Sequence, residues 1–219
     1  MTLKAVIFDS DGTLLNSVQL FYDAHVYAAK RHGGTPPSPS IFNAVVKQGR
    51  SLPQMFEDMQ PGKDHAAMLV ANGEYLLAHM TDASAFAHLD DMLKQLCDKG
   101  LKLALLTGGD HRVYDLLRHH GVIDYFSSIV HAGRTHNPKP DPEGFLLATS
   151  ECGVRPEEAV MVGDTIADIG VGRNSGALAT IGVTHGVSTR GQLQEAGASY
   201  IVDDLMELSS VVTSLMNTA

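Results

Sequence analysis

Cysteine and positive charge are both scarce in this sequence. The 219 residues include two cysteines, Cys97 and Cys152, which do not follow a spacing typical of metal sites. A disulfide framework is therefore not expected, and a reduced, cytoplasmic compartment is predicted. Lysine and arginine number 16 against 25 acidic residues, which gives a formal net charge of −9. Nucleic acids and anionic membranes favour basic surfaces, so neither is an expected partner.

Long apolar runs are also missing. No segment approaches the roughly 20 apolar residues that a membrane-spanning helix needs. The N-terminus lacks the charged and then apolar regions of a signal peptide, and no internal repeat is visible. What remains is an ordinary globular composition, with 44% hydrophobic and 19% charged residues. The length suits one large domain, or one domain with an insertion.

The first predicted strand is the most informative stretch of the chain. Its apolar run, Val6 to Phe8, suits a strand that is buried on both faces, as in a parallel sheet. Asp9 and Asp11 follow this run at once and lead into Gly12. Aspartate is a poor strand former, so both acids are expected where the strand ends. The ligand crevice of an open α/β sheet lies at that edge, which favours a chemical role over an acidic turn.

The rest of the chain falls into two regions. Helical periodicity and glycine- and proline-rich breaks predict several helices within residues 17–83. From residue 85 onwards, helical segments alternate with short apolar runs, which predicts a parallel sheet with helices on both faces. We therefore predict an α/β protein with a doubly wound, Rossmann-like parallel sheet. Residues 1–16 and 84–219 would form this core, and residues 17–83 a small inserted α-helical cap.

Three later segments are expected to place polar groups at sites equivalent to that of Asp9. Thr107 and Gly108 come after a predicted strand, where a hydroxyl and free backbone N–H groups can hold an anion. Lys139 lies between two prolines, which keep it in an extended and rigid segment. Asp164 ends another apolar run, and Asp168 follows four residues later. If a helix begins at once, these two carboxylates share one face.

A metal ion is expected where these segments meet. Four carboxylates, those of Asp9, Asp11, Asp164 and Asp168, would repel one another beside a single lysine unless a cation is bound. Oxygen ligands with room for water and phosphate favour Mg²⁺. The eleven histidines show no metal-binding spacing and are interpreted as surface or core residues.

In chain order, these residues resemble the four motifs of the haloacid dehalogenase superfamily. The matching positions are Asp9-x-Asp11-Gly12-Thr13, Thr107, Lys139 and Gly163-Asp164-x-x-x-Asp168. The resemblance covers the whole chain, because the helical insertion is similar to the family's small cap. Within the superfamily, the chain looks most like the phosphoglycolate phosphatase and β-phosphoglucomutase branch. The resemblance implies a Mg²⁺-dependent phosphatase for a small phosphorylated metabolite of the phosphoglycolate or sugar phosphate type.

The resemblance also implies a role for each motif residue in catalysis. Asp9 would be the nucleophile that forms an aspartyl-phosphate. Asp11 would be the general acid for the leaving oxygen and then the base for water. Thr107 and the backbone N–H of Gly108 would bind phosphoryl oxygens, and Lys139 would offset negative charge.

For the metal, the resemblance implies ligands on the first and last motifs. Asp9, Asp164 and the backbone carbonyl of Asp11 would surround Mg²⁺. Asp168 would hold Lys139 or the metal's water shell.

Several alternatives stay open at this point. A phosphosugar mutase with the same core would pass the phosphoryl group to a second hydroxyl instead of water. A receiver module also clusters acids, a threonine and a lysine at strand ends, but it lacks the Asp9–Thr13 pattern and is far shorter. A non-catalytic protein that binds a phosphorylated ligand is less favoured, because the candidate residues are intact. The sequence is compatible with a monomer or a homodimer.

The cap carries a further candidate site. Lys47 and Arg50 flank Gly49 in a segment that matches the position of the family's substrate-specificity loop. We expect one of them, preferably Arg50, to contact an anionic part of the substrate away from the scissile phosphate. The alternative is that Lys47 and Arg50 are both solvated surface cations that do not contact the substrate.

Overall fold

A parallel sheet forms the centre of the computed structural model, which describes residues 2–217. In chain order the strands are β1 (Ala5–Phe8), β2 (Leu15–Asn16), β3 (Ser84–Ala85), β4 (Lys102–Leu106), β5 (Phe126–Val130), β6 (Ala159–Gly163), β7 (Ala179–Val183) and β8 (Tyr200–Val202). Six of them pair in parallel in the order β5-β4-β1-β6-β7-β8. The first strand therefore lies inside the sheet.

Helices precede and follow these strands along the chain. They are α1 (Val18–Arg31), α2 (Pro39–Val46), α3 (Leu52–Met59), α4 (His65–His79), α5 (Leu89–Asp98), α6 (Val113–His119), α7 (Glu143–Cys152), α8 (Ile166–Ser175), α9 (Arg190–Glu195) and α10 (Leu205–Asn217). None of the helices within residues 2–217 is long and apolar enough to cross a membrane. The alternation of strands and helices after residue 85 confirms the predicted α/β fold with a parallel sheet.

Two apolar clusters cover the two faces of the sheet. Alternate residues of β1 point to opposite faces, as strand geometry requires. Val6 and Phe8 belong to one cluster, in which residues of α5 and α10 also take part. Ala5 and Ile7 belong to the other, together with residues of α7 and α8. Burial on both faces explains why β1 is a continuous apolar run.

Helices α1 to α4 lie between β2 and β3 along the chain and form a separate layer. Ala28 of α1, Phe56 of α3 and Met68 of α4 belong to a third apolar cluster that lies within this layer. The two ends of the layer run side by side, because Leu15 pairs with Ala85 in an antiparallel ribbon of β2 and β3. This ribbon was not anticipated from the sequence, since two-residue strands have no periodicity to detect.

Candidate active site

Three predicted site residues lie side by side at the carboxyl edge of the sheet: Thr107 follows β4, Asp9 follows β1 and Asp164 follows β6. In the register of the sheet, Phe8 pairs with Leu105 of β4 and with Val162 of β6. The residues just beyond these strands are therefore neighbours. Asp9 continues the pairing, because its N–H donates to the Val162 carbonyl at 2.8 Å. Thr107 does the same, with its N–H 2.9 Å from the carbonyl oxygen of Val130 in β5.

Lys139 reaches this edge from the loop between β5 and α7. Its ammonium group donates to Asp9 Oδ1 at 2.5 Å and to Asp168 Oδ1 at 2.6 Å. The Lys139 side chain is only 10% exposed. Burial alone would lower the pKa of Lys139, but the carboxylates of Asp168 and Asp9 outweigh it and raise the pKa. The lysine is therefore a fixed positive charge beside Asp9.

Asp168 is held in place by the first turn of α8. Thr165 is the N-cap of this helix, and its hydroxyl accepts from the N–H of Asp168 at 3.1 Å. In return, Asp168 Oδ2 accepts from the Thr165 N–H at 3.0 Å and from its hydroxyl at 2.5 Å. With Lys139 on Oδ1, both oxygens of Asp168 have protein donors. This capping box orients Asp168 towards Lys139.

Asp164 does not share a helix face with Asp168. The helix begins at Ile166, one residue after the Thr165 cap, so Asp164 lies at the end of β6. Its carboxylate is fully buried. Asp164 Oδ1 accepts from the Thr13 hydroxyl at 3.1 Å, and Oδ2 accepts from the Val187 N–H at 2.8 Å.

Two glycines leave room for the Asp164 carboxylate. A Cβ atom on Gly186 would lie 2.1 Å from Asp164 Oδ2, and one on Gly12 would lie 2.5 Å from the same oxygen. Gly12 also has a φ of +87°, which side-chain-bearing residues resist. Any larger residue at either position would push the carboxylate away.

The Asp11 carboxylate is held by two hydroxyl groups. Ser17 at the start of α1 donates to Asp11 Oδ1 at 2.6 Å, and Thr107 donates to Asp11 Oδ2 at 3.3 Å. The Thr107 hydroxyl also accepts from the Gly109 N–H at 3.0 Å. Burial raises the pKa of Asp11 despite the hydrogen bonds from Ser17 and Thr107. A carboxyl group with a raised pKa is suited to proton transfer.

The remaining three acids form a compact group that is able to hold a cation. Asp9, Asp164 and Asp168 are buried, and each offers an oxygen within 4.8 Å of the others. Burial raises the pKa of Asp164 to about 7, and the nearby Asp168 adds to the shift. Burial also raises the pKa of Asp9, where the neighbouring carboxylates oppose the effect of Lys139. Both shifts show that three ionised carboxylates beside one lysine are unfavourable unless a further positive charge is bound.

A cavity of about 470 Å³ opens above the site, between the sheet edge and the helical layer. Asp9, Asp11, Thr107, Gly108 and Lys139 line its floor. No heavy atom lies within 4 Å of the Cβ position of Gly108, other than its own chain neighbours, so this segment leaves space at the floor. Asp168 lines the cavity as well, whereas Asp164 is fully buried and is not among the lining residues.

The two candidate cations for substrate contact, Lys47 and Arg50, have different surroundings. Arg50 is among the lining residues, and its Nε is 3.2 Å from Asp58 Oδ2. Lys47 donates to Gln192 Oε1 of α9 at 2.9 Å. Between them, Gly49 lies so close to the sheet edge that a Cβ there would be 2.5 Å from the Lys139 carbonyl oxygen. Contact of either cation with substrate stays a prediction.

Several supporting residues were not identified as such from the sequence. Thr13 was quoted only as part of a motif, although its hydroxyl lies within 3.3 Å of Asp9 and 3.1 Å of Asp164. Ser17 was interpreted as the start of a helix, yet it holds Asp11. The Val187 N–H follows β7, a strand for which no site residue was named from the sequence. A small polar residue after the Asp9–Thr13 motif would have been the available signal for Ser17.

Comparisons with known proteins agree with the geometry. A family profile described as haloacid dehalogenase-like hydrolase matches residues 3–176. A Clostridium perfringens protein assigned as a pyrophosphatase, PpaX, is 31% identical over 214 residues, which cover 97% of this chain and 99% of the relative. A phosphoglycolate phosphatase of Psychrobacter arcticus is 30% identical over 220 residues and 95% of each chain.

A solved structure shares the fold. It is a Bacteroides fragilis protein assigned as a haloacid dehalogenase-like hydrolase, with a TM-score of 0.86 and 25% identity. The match covers 94% of this chain and 99% of that one. Since the profile spans most of the chain and the relatives match it almost from end to end, this chain belongs to the haloacid dehalogenase-like hydrolases.

Proposed function

We propose that this protein is a phosphatase that hydrolyses a small phosphate monoester through a phosphorylated Asp9. The observation that carries the proposal is the position of the Asp9 carboxylate. It lies at the end of an inner strand, on the floor of the cavity, beside the fixed charge of Lys139. Phosphatases among the relatives support this reaction type, and the hydrolase family disfavours a receiver module.

In the first step, a carboxylate oxygen of Asp9 attacks phosphorus and the ester P–O bond breaks. Lys139 and Thr13 each hold one oxygen of Asp9, at 2.5 and 3.3 Å, so the carboxylate is oriented before substrate arrives. The alcohol leaves with a proton, which Asp11 supplies. The raised pKa of Asp11 favours the protonated form that this step requires.

In the second step, a water molecule attacks the same phosphorus and gives its proton to Asp11. The P–O bond to Asp9 breaks, which releases inorganic phosphate and restores the carboxylate. Thr107 lies 3.3 Å from Asp11 and lines the cavity floor, so its hydroxyl and the Gly108 backbone can bind phosphoryl oxygens. Positioning and fixed charges of this kind supply most of the protein's contribution to phosphoryl transfer.

The acidic group fits Mg²⁺. Its donors are carboxylate oxygens, its charge is under-compensated by Lys139, and hard oxygen donors are the ligands that Mg²⁺ prefers. Asp9 and Asp164 would hold the ion, together with the Asp11 backbone carbonyl. Asp168, whose oxygens are bound to Lys139 and Thr165, would act through Lys139 or through water. A bound Mg²⁺ would neutralise charge on the phosphoryl group.

Helices α1 to α4, with boundaries near residues 17 and 83, would act as a cap. Two observations support this role. The four helices have their own apolar cluster, and the chain enters and leaves them through the paired strands β2 and β3. The close approach of Gly49 to the Lys139 carbonyl suits a closed state that separates the site from bulk solvent.

The Asp9→Asn variant tests the proposal. We expect turnover of phosphate monoesters to disappear while the fold persists, because Lys139 keeps Asp168 as a partner at 2.6 Å. Activity should be measured by phosphate release, and folding by circular dichroism. The matched control is Asp98→Asn on the exposed end of α5, which should retain full activity. If Asp9→Asn keeps activity within about tenfold of wild type, which is only about 1.4 kcal/mol of barrier, the covalent route is wrong.

A further inference from the structure

The cavity above Asp9 is walled mainly by apolar side chains. Phe42 of α2, Met55 of α3 and Leu76 of α4 line it from the helical layer, and their exposures are 1%, 8% and 6%. From the core, Val113 and Leu116 of α6 complete the wall. Phe42, Met55 and Leu76 belong to none of the three apolar clusters described above for residues 2–217. Phe21 of α1 and Val46 of α2 also line the cavity and are only half-buried, so their apolar surface is available to a ligand.

The volume exceeds what a phosphoryl group with a two-carbon acid requires. An apolar cavity of about 150 Å³ can hold a benzene ring. The cavity here measures about 470 Å³, which leaves room for a ring or a chain of several carbons beyond the phosphoryl group. In ligand pockets of this size, apolar side chains typically bury most of the ligand surface, while polar groups fix its orientation.

The cations that line the cavity already have acidic partners. Lys139 is bound to Asp9 and Asp168 at the floor. Arg112 pairs with Asp110 at 2.6 Å. Its guanidinium also donates to the Gly73 carbonyl at 3.1 Å.

Arg50 is the third of these cations, and it pairs with Asp58 at 3.2 Å. His25 adds no charge at neutral pH, because burial lowers its pKa to about 4. A second anionic group on the substrate would therefore have to displace an existing ion pair.

We propose that the preferred substrate is a phosphate monoester of an apolar alcohol, alkyl or aryl, without a second charged group. This inference rests on the proposed phosphatase function and narrows its substrate class. It separates this chain from the two relatives described above, because their names describe substrates with a further phosphate or carboxylate. The apolar wall would bind the leaving alcohol, while the floor binds the phosphoryl group.

The test is a series of straight-chain alkyl phosphates from methyl to hexyl phosphate, assayed by phosphate release. Their leaving alcohols have similar acidity, so differences in kcat/KM report binding of the chain and not leaving-group chemistry. We expect kcat/KM to rise about twofold to fourfold for each added methylene, the range set by partial to full burial of a CH₂ group. Phosphoglycolate and pyrophosphate should be hydrolysed no better than propyl phosphate.

A pair of variants on α4 links the chain-length effect to the cavity wall. Leu76→Gln places a polar amide in the wall, whereas Leu77→Gln makes the same change on the neighbouring, 66% exposed residue. We expect Leu76→Gln to reduce the ratio of kcat/KM between hexyl and methyl phosphate at least fivefold, and Leu77→Gln to leave it unchanged. Partial misfolding would lower both substrates together, so the ratio still reports the wall.

Three outcomes would overturn the inference. Equal kcat/KM along the series would show that the wall does not bind the alcohol. A more than tenfold preference for phosphoglycolate over propyl phosphate would show that the site recognises a second anion. If Arg50→Ala then lost this preference, the sequence-based prediction for Arg50 would be confirmed. Hydrolysis of none of these esters by the wild type, with Mg²⁺ present, would instead refute the proposed function itself.

Discussion

Acidification should destabilise this protein through one buried histidine in the helical layer. His25 of α1 is 2% exposed. Its ring stacks on Phe56 with centroids 4.6 Å apart and meets Phe42 edge-on at 5.0 Å. Its Nδ1 lies 3.0 Å from the Phe21 carbonyl oxygen, which assigns the proton to that nitrogen. These surroundings favour the neutral imidazole.

The size of the effect follows from the pKa of His25. Burial lowers this pKa from 6.5 to about 4 in the folded protein, although the hydrogen bond to Phe21 opposes the shift. Between these pH values the unfolded chain binds the proton and the folded chain does not, so the free energy of unfolding falls as pH decreases from 6.5 towards 4. From proton linkage, the free energy of unfolding should decrease by about 2 kcal/mol between pH 7 and pH 5. The total decrease is about 3 kcal/mol once the pH is below both pKa values.

The assay is urea unfolding of the wild type and of His25→Phe at pH 7, 6 and 5. Phenylalanine can keep the stacking with Phe56 but has no proton to bind, so the variant should lose about 2 kcal/mol less than the wild type over this range. Other titrating groups are common to both proteins and cancel in the comparison. The control His119→Phe, on the exposed face of α6, should retain the wild-type pH dependence. If the free energy of unfolding fell equally with pH in the wild type and in His25→Phe, the reasoning would be refuted.

Two further predictions concern the acidic group. Gly186→Ala would bring a Cβ to 2.1 Å from Asp164 Oδ2, so we expect a weaker apparent affinity for Mg²⁺ in activity titrations. The control is Gly191→Ala, where no heavy atom other than its chain neighbours lies within 4 Å of the new Cβ. This variant should match the wild type. An unchanged Mg²⁺ titration for Gly186→Ala would contradict the placement of Asp164 at the metal. Exhaustive chelation with EDTA should abolish turnover, and Ca²⁺ should inhibit when it replaces Mg²⁺, because its larger and looser coordination shell disturbs in-line geometry. Full activity after chelation would show that no divalent ion is needed.

The strands and their terminal residues could be predicted from the sequence. A run such as Val160 to Val162 has one plausible place in an α/β protein, and a polar residue directly after it must lie at the edge of the sheet. The convergence of Thr107, Asp9 and Asp164 followed from this rule once the sheet was assumed to be parallel. Lys139 was singled out by its two flanking prolines, but its place beside Asp9 followed only from the resemblance, because a loop lysine does not mark a strand end.

The supporting contacts could not be predicted, because they join residues that no local pattern relates. The Val187 N–H meets Asp164 across 23 positions of the chain, and Arg112 reaches the Gly73 carbonyl across 39. The start of α8 was also ambiguous in the sequence, since both Asp164 and Thr165 are residue types that cap helices. The backbone decided between them, because β6 ends at Gly163, just before Asp164, and Thr165 caps the helix.

Trapping the phosphorylated enzyme tests the central claim most directly. In Asp11→Asn, the group that would activate water is lost while Asp9 and Lys139 keep their contact at 2.5 Å. General acid–base catalysis typically contributes about 10²- to 10⁴-fold, so release of the phosphoryl group should become slow enough for it to accumulate. The variant should be mixed with p-nitrophenyl phosphate and Mg²⁺, quenched, digested and mapped by mass spectrometry. We predict a hydroxylamine-sensitive acyl phosphate on Asp9; an acid-stable phosphate on another residue, or turnover with no phosphorylated peptide, would contradict the account.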